Sequence, residues 1–352
     1  MSISKMRQES GLLTEYWYAA ALSEQVKHNK PISRVVMGEM IALWRKKDGT
    51  AAALKDRCLH RNAVLSEGRL KDDCLICPYH GWTFDENGKC VNVPSEGPSG
   101  VPKKLRKLET FPTVERYGLI WVWMGKEKTP DKEPFEMPYY NEDGWGSYYM
   151  ETDFPNNVTN LVENFMDVPH TVFVHQGWFR DRKVQKVPMT VERTEDSVLV
   201  TYDQPKDEIG FQSMILNPKR LPMVHTDKFY MPNNTRVDYI YGDTERSLII
   251  TSTCTPVSEY ETRVYTLISY KLGMMNAVAK RLLPWYTRQV IEQDVEIMEI
   301  QSRGIKHYES EQFMSTPADR LHIHIEALRK WAQDGGTRRK PSPKVDVVEF
   351  WI

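Results

Sequence analysis

The chain has 352 residues and a formal net charge of −1 at pH 7, with 40% hydrophobic and 27% charged residues. This length suffices for two compact domains or one large one, and the composition is that of a soluble globular protein. The balanced charge excludes a general attraction to nucleic acid or to an acidic membrane surface. The start, MSISKMRQES, has no apolar core for a secretory signal, and no apolar run reaches the roughly 18 residues of a membrane helix.

The first part of the chain is predicted to consist mostly of β-strands. Segments 33–45 and 117–124 are rich in the β-branched and aromatic residues that favour strands. Asn87-Gly88 lies between two strand-like runs and predicts a two-residue hairpin. The stretch KEKTPDKEPFEMP (126–138) is polar and proline-rich, and we place a domain boundary there or shortly after it, near Gly146. We therefore expect domains over residues 1–145 and 146–352.

The second domain is predicted to combine helices with an antiparallel sheet. Its strand-like runs are closely spaced and separated by turn residues, which is typical of antiparallel pairing. These runs cover 197–202, 235–242, 247–257 and 262–272. Helices are predicted over 157–171, 285–303 and 318–332, and the segment RRKPSPK (338–344) is expected to be mobile.

Cysteines and histidines crowd into the window CLHRNAVLSEGRLKDDCLICPYHGW at residues 58–82. Cys58 and His60 form one pair, and Cys77 and His80 form another, so two short loops each offer a thiolate and an imidazole. Such a set can hold a structural zinc ion, or a two-iron, two-sulfur cluster with cysteines on one iron and histidines on the other. The low, odd number of cysteines disfavours a disulfide framework and favours a metal site in a reducing compartment.

A second group of candidate ligands lies in NLVENFMDVPHTVFVHQGW at residues 160–178. Asp167 and His170 are three residues apart and therefore share one face of the predicted helix. Pro169 predicts that the helix distorts or ends before His175, which can turn that imidazole toward the same point. Two histidines and a carboxylate on one face of an iron leave positions open for dioxygen and substrate. The alternative is an amphipathic helix whose polar residues are incidental.

The third ligand of such a site is expected to be a distant carboxylate. The predicted helix over 285–303 has an apolar stripe made of Val290, Ile291, Ile297 and Met298. Asp294 lies within that stripe, and a carboxylate on a buried face needs a cation or strong donors. Asp294 is therefore our candidate ligand, and the alternative is a buried salt bridge to an arginine.

These motifs together resemble the Rieske non-haem iron oxygenases, in their single-subunit monooxygenase and demethylase branch. Cys-x-His with Cys-Pro-Tyr-His-Gly-Trp at 77–82 resembles the Rieske signature, and Asp-x-x-His-x₄-His at 167–175 resembles the catalytic signature. The phrase EQD at 292–294 resembles the position of the third iron ligand. The resemblance implies an α+β protein. It would have an all-β Rieske [2Fe-2S] domain and a helix-grip (START/Bet v 1-like) catalytic domain with an antiparallel sheet.

The resemblance also implies roles for individual residues. The cluster ligands would be Cys58, His60, Cys77 and His80, and the ligands of a mononuclear Fe(II) would be His170, His175 and Asp294. Asp167 would be the catalytic bridging carboxylate, which links an iron-bound histidine to a cluster-bound histidine of the next subunit in a homotrimer. Glu163 and Asn164 match the polar pair that precedes this acid in the family.

The implied function is a terminal oxygenase component that uses O₂ and two electrons to hydroxylate or oxidatively demethylate a small organic substrate. Because the chain lacks a nicotinamide or flavin fingerprint, a separate NAD(P)H-dependent reductase or ferredoxin should supply electrons. KKLRK (103–107) can dock an acidic partner or be a solvated face. We expect a cytoplasmic protein with no nucleic-acid or membrane partner. The alternatives are a Rieske-type electron-transfer or ligand-binding protein without oxygenase activity, and a zinc-stabilised module.

The sequence does not identify the substrate. Five apolar or aromatic residues of the second domain are candidates to line its pocket, although core packing is the default interpretation of each. They are Phe211, Met214, Phe229, Tyr239 and Tyr241.

Overall fold

The structure, a computed structural model, describes residues 13–97, 107–126, 130–178, 185–203, 217, 219–242, 246–337 and 339–352. The chain separates into two compact units. The first contains Thr14–Glu136, and the second contains Met137–Ile352 together with Leu13. Within the described residues, no helix has both the length and the apolar character needed to cross a bilayer.

The described residues of the first unit form ten strands in three antiparallel sheets, so this unit is all-β as expected. The strands are β1 (Trp17–Leu22), β2 (Ile32–Val36), β3 (Glu39–Arg45), β4 (Ala51–Lys55), β5 (Arg69–Lys71), β6 (Cys74–Ile76), β7 (Thr83–Phe84), β8 (Cys90–Asn92), β9 (Thr113–Arg116) and β10 (Leu119–Trp123). The sheet orders are β1-β10-β9, β2-β3-β4 and β5-β6-β7-β8.

Two turns of this unit differ from what the sequence predicted. The strand-like segment 33–45 falls in the hairpin of β2 and β3, which turns at Met37 and Gly38 with φ of 54° and 74°. The Asn87-Gly88 hairpin does join β7 to β8, but its loop is longer than two residues. The Asp85 N–H donates to the Lys89 carbonyl at 3.0 Å, so the loop runs over 85–89.

An eight-stranded antiparallel sheet dominates the described part of the second unit. Its strands are β11 (Gly146–Phe154), β12 (Lys186–Arg193), β13 (Ser197–Tyr202), β14 (Met223–Tyr230), β15 (Asn234–Tyr241), β16 (Arg246–Ser258), β17 (Glu261–Lys271) and β18 (Lys344–Trp351). The order is β11-β17-β16-β15-β14-β13-β12-β18. The predicted antiparallel sheet is confirmed, whereas the sequence missed β11, β12, β14 and β18.

Strand β18 begins at Lys344, the last residue of the segment expected to be mobile. It pairs with β12 along its whole length, from Lys186 opposite Trp351 to Arg193 opposite Lys344. Its Asp346 carboxylate accepts from the Nε2 of the buried His324 at 2.9 Å. The end of the chain is therefore an integral edge of the sheet.

Three α-helices of the described chain pack with this sheet: α1 (Val158–Met166), α2 (Asn276–Tyr308) and α3 (Arg320–Gln333). Helix α2 begins earlier and ends later than the helix predicted over 285–303, and Pro284 lies within it. It packs against β11, and its buried positions recur every three or four residues, as an amphipathic helix requires. A long helix on an antiparallel sheet is the expected helix-grip arrangement.

We predict that Arg329 of α3 stabilises the second unit. Its buried guanidinium donates to the Pro232 carbonyl at 2.7 Å, to the Asn233 Oδ1 and to the Thr159 Oγ1 at 3.1 Å. Arg329→Met would leave buried acceptors unsatisfied, and we expect a loss of about 2 to 4 kcal/mol in unfolding free energy.

The neighbouring Lys330→Met is the matched control for a urea titration. The Lys330 side chain is 61% exposed in its ion pair with Glu326, so its loss should cost less than about 0.5 kcal/mol. Equal effects of the two substitutions would contradict this role of Arg329.

Candidate metal centres

Two loops of the first unit carry the cysteine and histidine pairs. The loop after β4 is closed by the Cys58 N–H, which donates to the Ala63 carbonyl at 2.9 Å. The loop after β6 is closed by the Cys77 N–H, which donates to the Trp82 carbonyl at 2.8 Å. Gly81 has a φ of 73°, a left-handed conformation that glycine adopts without a steric penalty. A backbone hydrogen bond therefore closes each loop, and Gly81 permits the tight turn of the second loop.

The four candidate ligands of these loops divide into an inner and an outer pair. Cys58 and Cys77 are 1% and 3% exposed, and their thiols interact with each other. His60 and His80 are exposed, and their ring centroids lie 4.6 Å apart. The His60 ring also stacks on Trp82, with an interplanar angle of 8°. The loops therefore offer two sulfurs on the buried side and two imidazoles at the surface.

The electrostatics of the Cys58 thiol fit a metal cluster. Burial raises the pKa of the Cys58 thiol to about 11, although the backbone N–H groups of His60 and Arg61 donate to this sulfur. A thiolate in such a place needs a positive partner, and a metal cluster supplies it. The same N–H groups can donate to cluster-bound sulfur and so adjust a reduction potential.

The second candidate centre begins where helix α1 ends. Asp167 is the C-cap residue with an extended ψ of 105°, so the helix stops at Met166 and is shorter than predicted. Pro169–Val172 then form a 3₁₀ turn, and the Asp167 carboxylate accepts the His170 N–H at 3.3 Å. Asp167 and His170 therefore share a tight turn and not an α-helical face. The predicted break before His175 is confirmed.

This break brings His170 and His175 to Asp294 of α2. Their candidate ligand atoms all lie within 4.8 Å of one another. The Asp294 Oδ1 is 3.5 Å from the His170 Nε2 and 3.2 Å from the His175 Nε2. Metal–ligand bonds of about 2.0–2.2 Å place neighbouring ligand atoms at roughly such separations. The three groups can thus surround one metal ion.

Asp294 lies on the buried face of α2, as predicted. It is 6% exposed, whereas Glu292 beside it is exposed. The alternative was a buried salt bridge to an arginine. In the part of the chain that the structure describes, the ion-pair partners of Asp294 are the two imidazoles.

Two amides lie within hydrogen-bonding distance of members of this triad. The Gln293 Oε1 lies 2.9 Å from the His175 Nδ1, which leaves the Nε2 of that ring facing Asp294. The Asn164 Nδ2 donates to the Asp294 Oδ1 at 3.1 Å. Asn164 was identified only through the family resemblance, and sequence reasoning missed Gln293. Its sole signal was its position immediately before Asp294, because a neutral amide forms no pattern of its own.

The carboxylates of Asp167 and Asp294 make the site beside His170 favourable for a cation. Burial opposes a charge on His170, but Asp167 and Asp294 outweigh it and raise the pKa of this imidazole to about 10. Burial likewise opposes a charge on Asp294, yet His170 and His175 hold the pKa of its carboxyl well below the usual range. Two imidazoles and a carboxylate form a donor set that suits a mononuclear iron.

A cavity of about 120 Å³ opens against the triad. Helices α1 and α2 and strands β15, β16 and β17 supply most of its described lining. Tyr239, one of the candidate pocket residues, does line it. Phe229 and Tyr241 are buried but do not contribute to that lining, whereas Phe211 and Met214 lie outside the described residues. Residues 103–106 of the basic run also lie outside them.

Comparisons with known families assign both units. Residues 16–112 match the Rieske [2Fe-2S] domain, and residues 155–333 match the vanillate O-demethylase oxygenase C-terminal domain. The chain therefore belongs to the Rieske non-haem iron oxygenases, in the branch whose second domain is of this demethylase type. The predicted family, the α+β fold class and the presence of a Rieske [2Fe-2S] domain are confirmed.

Individual relatives support the same assignment. The oxygenase component of dicamba O-demethylase from Stenotrophomonas maltophilia is 35% identical over 231 residues, which cover 63% of this chain and 61% of that protein. The chloroplastic protein TIC 55 of Arabidopsis thaliana is 33% identical over 188 residues, which cover 52% of this chain and 34% of that protein. The chain thus spans less than two thirds of the length of these curated relatives.

A solved structure shares the fold. Dicamba monooxygenase bound to dicamba matches with a TM-score of 0.79 at 23% identity, over 92% of this chain and 98% of that one.

We predict that Gln293 strengthens metal binding although it is not itself a candidate ligand. Gln293→Leu would release the His175 ring from its partner, and loss of such outer contacts typically weakens metal binding 10- to 100-fold. Anaerobic competition for Fe(II) against a chelator measures this change. Glu292→Gln, at the exposed neighbouring position, is the control and should bind Fe(II) like the parent protein. An unchanged affinity in Gln293→Leu would contradict the prediction.

Proposed function

We propose that this chain is the terminal oxygenase component of a multicomponent system. It would use O₂ and two electrons to hydroxylate or oxidatively demethylate a small organic substrate. The convergence of His170, His175 and Asp294 on a cavity, in a chain that also carries a Rieske domain, supports this proposal best. When bound, a [2Fe-2S] cluster supplies single electrons, and a mononuclear Fe(II) binds and activates dioxygen.

The residues of the first unit would hold the cluster and set where electrons enter. Cys58 and Cys77 bind from the buried side, and the N–H donors around Cys58 stabilise the sulfur ligands. The exposed His60 and His80 would bind from the surface, so they are the groups nearest to an approaching electron donor. A separate reductase or ferredoxin would be that donor.

The residues of the second unit would hold the iron and receive the substrate. His170, His175 and Asp294 occupy one corner of the cavity, so the remaining coordination positions can face its interior. Gln293 fixes the ring of His175, and Asn164 fixes the carboxylate of Asp294. The apolar walls exclude bulk water from the place where substrate and dioxygen would meet.

Asp167 would connect the two kinds of centre between subunits. Its carboxylate lies 3.6 Å from the Nδ1 of His170, and its side chain remains 25% exposed. It can therefore hold the imidazole of His170 on one side and accept a hydrogen bond from a histidine of an adjacent copy on the other. In this proposal the assembly is a homotrimer, and the bridging histidine is His80 of the partner subunit.

The competing function is an electron-transfer or ligand-binding Rieske protein without oxygenase activity. That function requires no second metal, and it does not account for the buried triad of His170, His175 and Asp294. A zinc-stabilised module would be colourless, since zinc has no visible spectrum.

The proposal includes a cytoplasmic location, which suits five cysteines that form no disulfide.

The first prediction from this proposal concerns iron content. We expect about three iron atoms per chain in the parent protein and about two in Asp294→Ala, because this substitution removes one ligand of the mononuclear site only. Anaerobic metal analysis and the visible spectrum measure both centres, and the cluster spectrum should stay unchanged. Glu296→Ala, on the exposed side of α2, is the control. An iron content of three in Asp294→Ala would exclude this carboxylate from the site.

The second prediction concerns electron transfer. Asp167→Asn keeps the size of the side chain and every candidate metal ligand, so both metal centres should load when iron is in excess, but it removes the negative charge beside His170. Cluster oxidation in a single turnover with O₂ should slow by about 10- to 100-fold. Stopped-flow absorbance of the reduced cluster measures this rate, and the exposed Asp143→Asn serves as the control. A parental rate in Asp167→Asn would remove the bridging role.

A further inference from the structure

A row of hydroxyl groups crosses the sheet wall of the cavity. Paired residues of antiparallel strands point to the same face. The register places Thr235 of β15 opposite Ser252 of β16, and Ser252 opposite Thr266 of β17. All three are buried and line the cavity. The Ser252 Oγ and the Thr266 Oγ1 lie 3.0 Å apart, and either can donate to the other.

This hydroxyl pair can still bind a third group. Each hydroxyl has one hydrogen and two lone pairs, so a single bond between two hydroxyls leaves one hydrogen and several acceptor positions. A substrate oxygen that enters the cavity can accept that remaining hydrogen. The row is therefore suited to a hydroxyl, ether or carbonyl group, all of which are neutral.

The next row of the wall is aliphatic. Val237, Ile250 and Ile268 are paired in register across the same three strands, and all three line the cavity. Such a wall favours the apolar body of a ligand. Apolar cavities on the order of 150 Å³ hold benzene, so the cavity of about 120 Å³ suits a single ring.

Among the described residues that line the cavity, the side chains that can carry a charge near neutral pH are those of the candidate iron site. They are His170, His175 and Asp294. The other described lining side chains are neutral and include neither lysine nor arginine. His225 stacks behind Tyr239 at 4.6 Å between ring centroids, but its Nε2 already faces the Asp227 carboxylate at 2.9 Å. Among the described residues, the sheet wall offers no lysine or arginine to a buried substrate carboxylate, and burial of an unpaired carboxylate is strongly unfavourable.

We propose that the substrate is a neutral, one-ring molecule with a hydrogen-bonding substituent, and not an organic acid. The hydroxyl row of Thr235, Ser252 and Thr266 orients that substituent, and the aliphatic row holds the ring. This assignment rests on the proposed function and narrows it to one substrate class.

Equilibrium binding to the oxidised holoenzyme tests the assignment without turnover. The probes are guaiacol and vanillate, which share a methoxyphenol ring and differ by one carboxylate. Anaerobic calorimetry should show that guaiacol binds at least tenfold more tightly than vanillate. Equal or tighter binding of vanillate would overturn the proposal, and so would the absence of measurable guaiacol binding. Because no reductant is present, this outcome is independent of the iron-content and electron-transfer measurements.

Substitutions in the hydroxyl row test its part in recognition. Thr266→Val keeps the shape of the side chain and removes the hydroxyl, so guaiacol should bind about three- to tenfold more weakly. Thr266→Ser keeps the hydroxyl and should restore most of that binding. Ser269→Ala is the control, since this buried serine of β17 is not part of the lining and donates to the Pro138 carbonyl. Thermal melting confirms that each variant folds, and parental guaiacol affinity in Thr266→Val would refute orientation by this row.

Discussion

Helix α1 ends at Met166, and Pro169 disfavours its continuation because it has no N–H for the carbonyl of Phe165 and its ring would crowd that carbonyl. The chain turns there instead, with Asp167 extended and its carboxylate on the His170 N–H. The candidate iron site depends on this turn. An uninterrupted helix would carry the imidazoles of 170 and 175 along its axis, and they would not meet a carboxylate on another helix.

Sequence patterns were sufficient to locate some of the candidate ligands and strands. Asp294 stands out because an ionised side chain within an apolar stripe requires a partner, and the stripe is visible in the sequence. Ser197–Tyr202 was predicted with its observed bounds, since most of its residues are β-branched or aromatic. Strand β18 was missed because it follows the proline-containing segment 338–344, which was expected to be mobile. Its burial is also unusual, since Val345 and Val347 face solvent while Asp346 faces His324.

Other features depend on contacts between distant segments and leave no local pattern. Gln293 matters because His175 lies against it, and the two meet only when the segment that follows α1 packs against α2. The cavity wall likewise depends on strand register, which places Thr235, Ser252 and Thr266 side by side. A shift of one residue in that register would turn a whole row to the opposite face. Sequence therefore predicted the metal-binding chemistry better than the shape of the pocket.

The pairing of β18 with β12 also has a consequence for biosynthesis. Translation proceeds from the N-terminus, so β12 leaves the ribosome long before the strand that covers its outer edge. An uncovered strand edge is a template for pairing with other chains. Nascent molecules thus pass through a stage in which β12, and not β18, is the open edge of the sheet. Stop codons that remove β18 should extend this stage indefinitely even though every candidate metal ligand has already been made.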